Sequence, residues 1–200
     1  MKKIEGGVTA AKGFEAAAAA AGIKYQDRTD MALIYSEKPC KVAGTFTTNV
    51  VKAAPVKWDR NVVDSGMKSQ AVIVNSGIAN ACTGEEGMSY CKETAKEAAK
   101  VLGVDARSVL VGSTGVIGMQ LPMDRVKEGI RKLAEVKKPD LESGTQAAQA
   151  IMTTDTKKKE VAVTVEIGDA TVTIGGMAKG SGMIHPNMCT MLAFITTDAK

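Results

Sequence analysis

Thr190 is the residue whose surroundings point most directly to chemistry. It closes the stretch Lys179-Gly180-Ser181-Gly182-Met183-Ile184-His185-Pro186-Asn187-Met188-Cys189-Thr190, a Gly/Ser turn and a Pro-containing loop. Met191 to Ile195 follow, a short apolar run with the pattern of a buried strand. Thr190 thus stands at the mouth of a strand. A threonine hydroxyl is a weak nucleophile without a base beside it, and its own α-amino group serves when the residue heads a chain. The peptide bond before it must then be cut. The Cys189–Thr190 junction suits this, since both side chains are small and the hydroxyl can reach the preceding carbonyl. Taken alone, these residues favour a plainer alternative, that Thr190 merely opens a strand, where a β-branched residue is at home.

A second candidate is Gly112-Ser113-Thr114-Gly115-Val116-Ile117-Gly118, which follows the apolar run Ser108-Val109-Leu110-Val111. Glycine loops of this kind bring backbone close to a pyrophosphate at a helix N-terminus. The context opposes that use: the next helix waits until after Pro122, and no acidic residue follows a second βαβ strand. The other use is an oxyanion hole, where a hydroxyl and a backbone N–H converge on developing negative charge, each donor being worth about 3 kcal/mol. Lys179 and Thr153 have plainer alternatives as a surface lysine and a helix-ending turn. His185, the only histidine, invites a Ser/His/Asp assignment that an N-terminal threonine does not need. Asn75 and Asn80 read as amides that shape a loop.

The elements that must position these groups follow from periodicity. Met31 to Tyr35 and the β-branched Val42 to Thr48 read as strands. Ala16 to Ala21 is compatible with a helix or with a tight turn between strands. Trp58 follows a helix or turn start at Pro55 and reads as core or interface filler. Ala71 to Val74 is a strand ending in a loop over Asn75 to Ala81. The clearest helix buries Cys91, Thr94, Ala95, Ala98, Val101 and Leu102 and stops at Gly103. Pro122 opens a helix with Val126, Ile130 and Leu133 inward, and another covers Leu141 to Met152. Residues 160–174 read as a hairpin, Val161, Val163 and Val165 against Thr171 and Thr173, turned by Gly168-Asp169. The alternation argues for a layered α/β or α+β domain.

Composition narrows the function. Hydrophobic content of 44% and charged content of 24% are those of an ordinary globular chain, with a core built from aliphatics because aromatics make up 4%. A net charge of +4, with lysines spread out, gives no nucleic-acid footprint. Cys40, Cys82, Cys91 and Cys189 form no CxxC pair, so reduced thiols in a cytoplasmic protein, with no metal site, are expected. No signal peptide or membrane span is visible.

The segment GGMAKGSGMIHPNMCTMLAFI resembles the autocleavage region of the ornithine acetyltransferase (glutamate N-acetyltransferase) family. GVTAAKGF, TFTTNVVKAAPVKW, VNSGIANACTG, VGSTGVIG and IMTTDT match as well, in the family's order and along essentially the whole chain. The departures are Ala11 where Pro is frequent, Ile78 where Asn is usual, and Cys189 where Ala is usual. The resemblance implies a helix–sheet–sheet–helix sandwich shared between two halves of one precursor. It makes residues 1–189 the α chain and 190–200 the start of the β chain, cut between Cys189 and Thr190. It makes Thr190 the nucleophile, Thr114 (side chain) and Gly115 (backbone N–H) the oxyanion hole, and Thr153, Lys179 and Thr190 the substrate contacts. The implied reaction carries acetyl from N2-acetyl-L-ornithine to L-glutamate in arginine biosynthesis through an acetyl-threonyl intermediate. No cofactor is implied, although some members also use acetyl-CoA. The implied partners are these small molecules and the remaining β-chain segment, in an α2β2 heterotetramer, with neither nucleic acid nor membrane. A self-processing amidase or aminopeptidase of related fold and a non-catalytic subunit are the alternatives.

Overall fold

The alanine run near the N-terminus forms a strand, because small side chains can lie flat between a sheet and the layers on both its faces. In the computed structural model, which describes residues 1–180 and 191–199, the elements follow in the order β1 (Lys2–Ile4), β2 (Phe14–Ala19), β3 (Met31–Cys40), α1 (Ala54–Asp64), β4 (Ser69–Ile78), α2 (Gly84–Leu102), β5 (Val109–Val116), α3 (Met123–Val136), α4 (Leu141–Ala150), β6 (Lys159–Ile167), β7 (Ala170–Lys179) and β8 (Leu192–Thr197). The first sheet has the order β2-β3-β4-β5 and the second β1-β6-β7-β8.

Side-chain alternation sends the two faces of the first sheet to different neighbours. Ala17, Ala19, Met31, Leu33, Ala71, Ile73, Val109 and Val111 pack with Cys91, Ala95 and Ala98 of α2 and Val126, Ile130 and Leu133 of α3. The opposite face offers Ala16, Ala32, Ile34 and Val74 to Ala147, Ala148 and Ala150 of α4 and the Ile151 that follows it, and to Met177, Leu192 and Phe194 of the second sheet. Helix α4 therefore shares the space between the sheets. This is the layered α+β domain that the alternation predicts, with the two packed sheets that the family resemblance implies. Among the described residues, no helix covers the outer face of the second sheet, where Val161, Ile174 and Ile195 are exposed.

Strand β5 is the edge of its sheet and pairs in parallel with β4, so α2 makes the crossover between them. Helix α1 shields this edge. The Trp58 indole N–H donates to the Val109 carbonyl (2.9 Å), and the Val111 N–H donates to Asp59 Oδ1 (2.9 Å). Two side chains thus satisfy backbone groups that a neighbouring strand would otherwise take. The helix of Cys91, Thr94, Ala95 and Ala98 has the expected face, and Gly103 ends it in the left-handed conformation (φ 70°).

Four expectations are corrected. Val42 to Thr48 forms no strand, because both sides of β3 are already taken by β2 and β4. The strands β4 and β5 run on through Ile78 and Val116, into segments expected as loops, because the parallel ladder continues to the pair Ile78–Val116. In the hairpin Val165 faces Val172, and Thr171 and Thr173 face Glu166 and Thr164, since a two-residue turn joins Ile167 to Ala170. Strand β8 is a half-exposed edge and not a buried strand, with Ile195 75% exposed, because only its inner face meets the core.

Candidate functional site

The C-terminal ends of β4 and β5 form the first part of the site. Ser76 is the register partner of Thr114, and Gly77 of Gly115. Alternation puts Ser76, Gly112 and Thr114 on the inner face, towards α4 and the second sheet. Thr114 is buried. Gly115 has φ 135°, and a Cβ there would lie 2.3 Å from the Gly77 carbonyl carbon and oxygen. Only glycine fits this close approach of two backbones.

The loop beyond β4 is held by a network of side chains. The Asn75 amide donates to the Ile78 carbonyl (2.8 Å). The Ser113 hydroxyl lies 2.7 Å from Asn75 Oδ1 and accepts from the Asn80 N–H at 2.9 Å. Asn80 in turn donates to the Gly87 carbonyl (2.7 Å) and accepts from the Thr83 hydroxyl (2.6 Å). Asn75 and Asn80 are therefore the loop-shaping amides expected. Ile78 fits because the loop uses its carbonyl, while its side chain joins the core beneath α2.

The second part comes from α4 and the second sheet. The Ser76 hydroxyl donates to the carbonyl of Ala150, the last residue of α4 (2.7 Å). The chain then turns through Thr153 to Asp155. Arg28 steadies the turn by donating to the Met152 carbonyl (2.6 Å). Asp155 accepts from the Gly180 N–H (2.9 Å), from the Thr153 N–H (3.4 Å) and from the Lys159 ammonium (2.5 Å). Thr114, Thr153 and Lys179 are thereby brought to one end of the sandwich through a continuous chain of contacts. Lys179, expected on residue statistics as a surface group, is 3% exposed on the inner face of β7. Burial pulls its pKa below the usual lysine range, against the attraction of Asp155. A cleft of about 360 Å3 opens here between Arg28, Thr29, Gln149, Met152, Thr153 and Asp155.

Cys189, Thr190 and His185 lie outside the described residues. What the structure does place is the chain on either side of the junction. Gly180 is tied to Asp155, and Leu192 pairs with Lys179 at the start of β8. Phe194 of β8 packs over Gly112, where a Cβ would come within 3.3 Å of its ring. Asp155 was missed by the sequence reading. Its Thr-Thr-Asp-Thr context looks like any polar turn, and its partners are brought to it only by the fold. Cys40, Cys82 and Cys91 carry free thiols. Among the described residues no cluster of acidic, cysteine or histidine side chains could hold a metal ion, and no helix is long and apolar enough to cross a membrane.

Comparison with known proteins gives a consistent result. The model of the ArgJ family matches residues 15–200. The arginine biosynthesis bifunctional protein ArgJ of Symbiobacterium thermophilum is 57% identical over 201 residues, spanning 100% of this chain and 49% of that protein. Its counterpart in Gloeobacter violaceus is 52% identical, over 98% of this chain and 48% of that protein. The chain therefore spans about half the length of the curated relatives it matches. Among solved structures, ArgJ from Bacillus halodurans superposes with a TM-score of 0.87 at 43% identity, covering 95% of this chain and 97% of that one. Ornithine acetyltransferase of Mycobacterium tuberculosis, complexed with ornithine, gives a TM-score of 0.84 at 44% identity, covering 94% and 96%.

Proposed function

The chain belongs to the ArgJ family, and from that premise we propose that it is the N-terminal part of an acetyltransferase moving acetyl from N2-acetyl-L-ornithine to L-glutamate in arginine biosynthesis. Residues 1–189 form the α chain and residues 190–200 begin the β chain, separated by self-cleavage between Cys189 and Thr190. The observation that carries the reading is the convergence of Thr114–Gly115, Thr153 and Lys179 at one end of the sandwich, with Leu192, two residues beyond Thr190, paired opposite Lys179. The Mycobacterium tuberculosis relative solved with ornithine supports the choice of substrate. The solved chains match this one over nearly their whole length and the curated relatives over half, which supports a family working as two chains.

In the reaction, the Thr190 Oγ attacks the acetyl carbonyl of N2-acetyl-ornithine, and the freed α-amine of Thr190 takes the hydroxyl proton. The tetrahedral oxyanion is stabilised by the Thr114 hydroxyl and the Gly115 N–H. The carbon–nitrogen bond breaks, ornithine leaves carrying the proton, and an acetyl-threonyl ester remains. The glutamate amine then attacks that ester and restores the free hydroxyl. Two half-reactions through one covalent intermediate give ping-pong kinetics. The base, nucleophile and oxyanion donors all come from the polypeptide, so the chemistry calls for no cofactor or metal. Acetyl-CoA as a second donor, the α2β2 assembly and a cytoplasmic location belong to the same reading.

The test uses the full-length protein. N-terminal sequencing should find a second chain beginning Thr-Met-Leu-Ala-Phe, and Thr190→Ala should leave one uncut species without transferase activity. An active enzyme with an unbroken junction defeats the mechanism. Release of acetate from acetyl-ornithine at a rate indifferent to glutamate would point instead to an amidase.

A further inference from the structure

We infer that Asp155 is a positioning residue: its carboxylate fastens the turn carrying Thr153 to the end of β7 carrying Lys179, and so sets the spacing of two groups that meet the substrate. The inference rests on the function proposed above. The Asp155 side chain is 3% exposed, whereas that of Lys159, its ion-pair partner, is 50% exposed. The Gly180 and Thr153 amides bind opposite oxygens of the carboxylate, Oδ1 and Oδ2, so one side chain bridges two segments. Gly180 is also the last described residue before the segment that leads to Thr190.

The geometry requires a carboxylate of this length. A Cβ on Gly180 would already lie 3.3 Å from Asp155 Oδ1, so the approach is close. Burial raises the carboxyl's pKa, but Lys159 and the amides of Gly180 and Thr153 outweigh it and hold the group below the usual carboxylate range. The ionised form is therefore the one the fold employs, with an acceptor on both oxygens. An asparagine in the same place presents one acceptor and one N–H donor. It must turn that donor either towards the Thr153 amide or towards the Gly180 amide and the Lys159 ammonium together, and the bridge opens on one side.

The experiment compares the wild-type full-length enzyme with Asp155→Asn and Asp155→Glu, measuring self-cleavage, thermal midpoint, and kcat and KM for acetyl-ornithine. The expected result for Asp155→Asn is a folded enzyme whose KM rises about tenfold while kcat falls less than about threefold, the signature of lost substrate placement. Asp155→Glu keeps both acceptors and should recover part of the loss. A wild-type KM in Asp155→Asn overturns the inference, as does a fall in kcat and thermal midpoint at unchanged KM, which marks a purely structural role. If Asp155→Asn fails to fold, Asp155→Glu decides: a raised KM in a folded protein supports the inference, while a wild-type KM or another failure to fold overturns it. A wild-type enzyme that transfers no acetyl overturns the function itself, and is told apart from the other outcomes by that control.

Discussion

At Thr114 and Gly115 the two halves of the proposed oxyanion hole face different constraints, so their substitutions should fail differently. Thr114 supplies a hydroxyl on the inner face of β5, and its neighbour Ser76 already carries the hydrogen bond to α4. Thr114→Ala should therefore fold normally and slow transfer by about 100-fold, the usual consequence of losing one oxyanion donor. Gly115→Ala meets the Gly77 backbone at 2.3 Å with φ at 135°. It should lower stability by about 2–4 kcal/mol and abolish transfer, because the strand ends must separate to admit the methyl group. Urea unfolding beside a transferase assay separates the two. If Gly115→Ala unfolds like wild type, the backbone approach at Gly77 is not the constraint described here.

Elements that draw on local pattern were legible in the sequence, and those that draw on a distant partner were not. Helices α2 and α3 could be read from apolar spacing because a helix forms its hydrogen bonds within itself. The reach of β4 and β5, and the absence of a strand at Val42 to Thr48, depended on which other strand lay alongside. The family motifs located Thr114, Thr153 and Lys179 in the sequence. Asp155 needed the fold, since its partners lie as far away as Gly180. Asp59 is a similar case at the level of an element. It lends the β5 edge an acceptor, and burial pushes its pKa from 3.8 up to about 8, the Val111 N–H pulling the other way. It also helps push buried Cys91 up to about 12, after the larger effect of burial. The sign for Asp59 follows from linkage. Its folded pKa exceeds its unfolded value, so the native state binds the proton more tightly, and stability falls as pH rises from about 4 to about 8. Asp59→Asn keeps an acceptor for Val111 without the charge. Unfolding measured from pH 5 to pH 8 should show the variant gaining on wild type by roughly 3–4 kcal/mol. Parallel pH profiles for the two proteins would show that Asp59 ionises without penalty.

For the whole molecule, the decisive feature is that, among the described residues, the second sheet buries one face and leaves the other uncovered. Val161, Gly176 and Ile195 stand in one row across β6, β7 and β8, and Val163, Ile174 and Thr197 in the next. Val161 is 50% exposed, Ile174 37% and Ile195 75%. A contiguous apolar row on a sheet face marks a surface meant to be covered. The curated relatives are about twice as long as this chain, and β8 is the strand that would lead into their remaining half. On the function proposed above, that half packs its own apolar layer over these rows and completes the sandwich around the site. Val161→Asp tests this, because Val161 belongs to the α chain and its side chain points away from the buried Ala162 and the inner core. In the full-length protein it should leave the inner face and its loops unchanged while weakening the joint between the halves by about 3 kcal/mol, from lost apolar burial and a desolvated charge. The two cleaved chains should then separate on size-exclusion chromatography under mild denaturant that keeps the wild-type pair together. If they still travel together with an unchanged thermal midpoint, the outer face is not the joint, and the remaining half must meet this chain elsewhere.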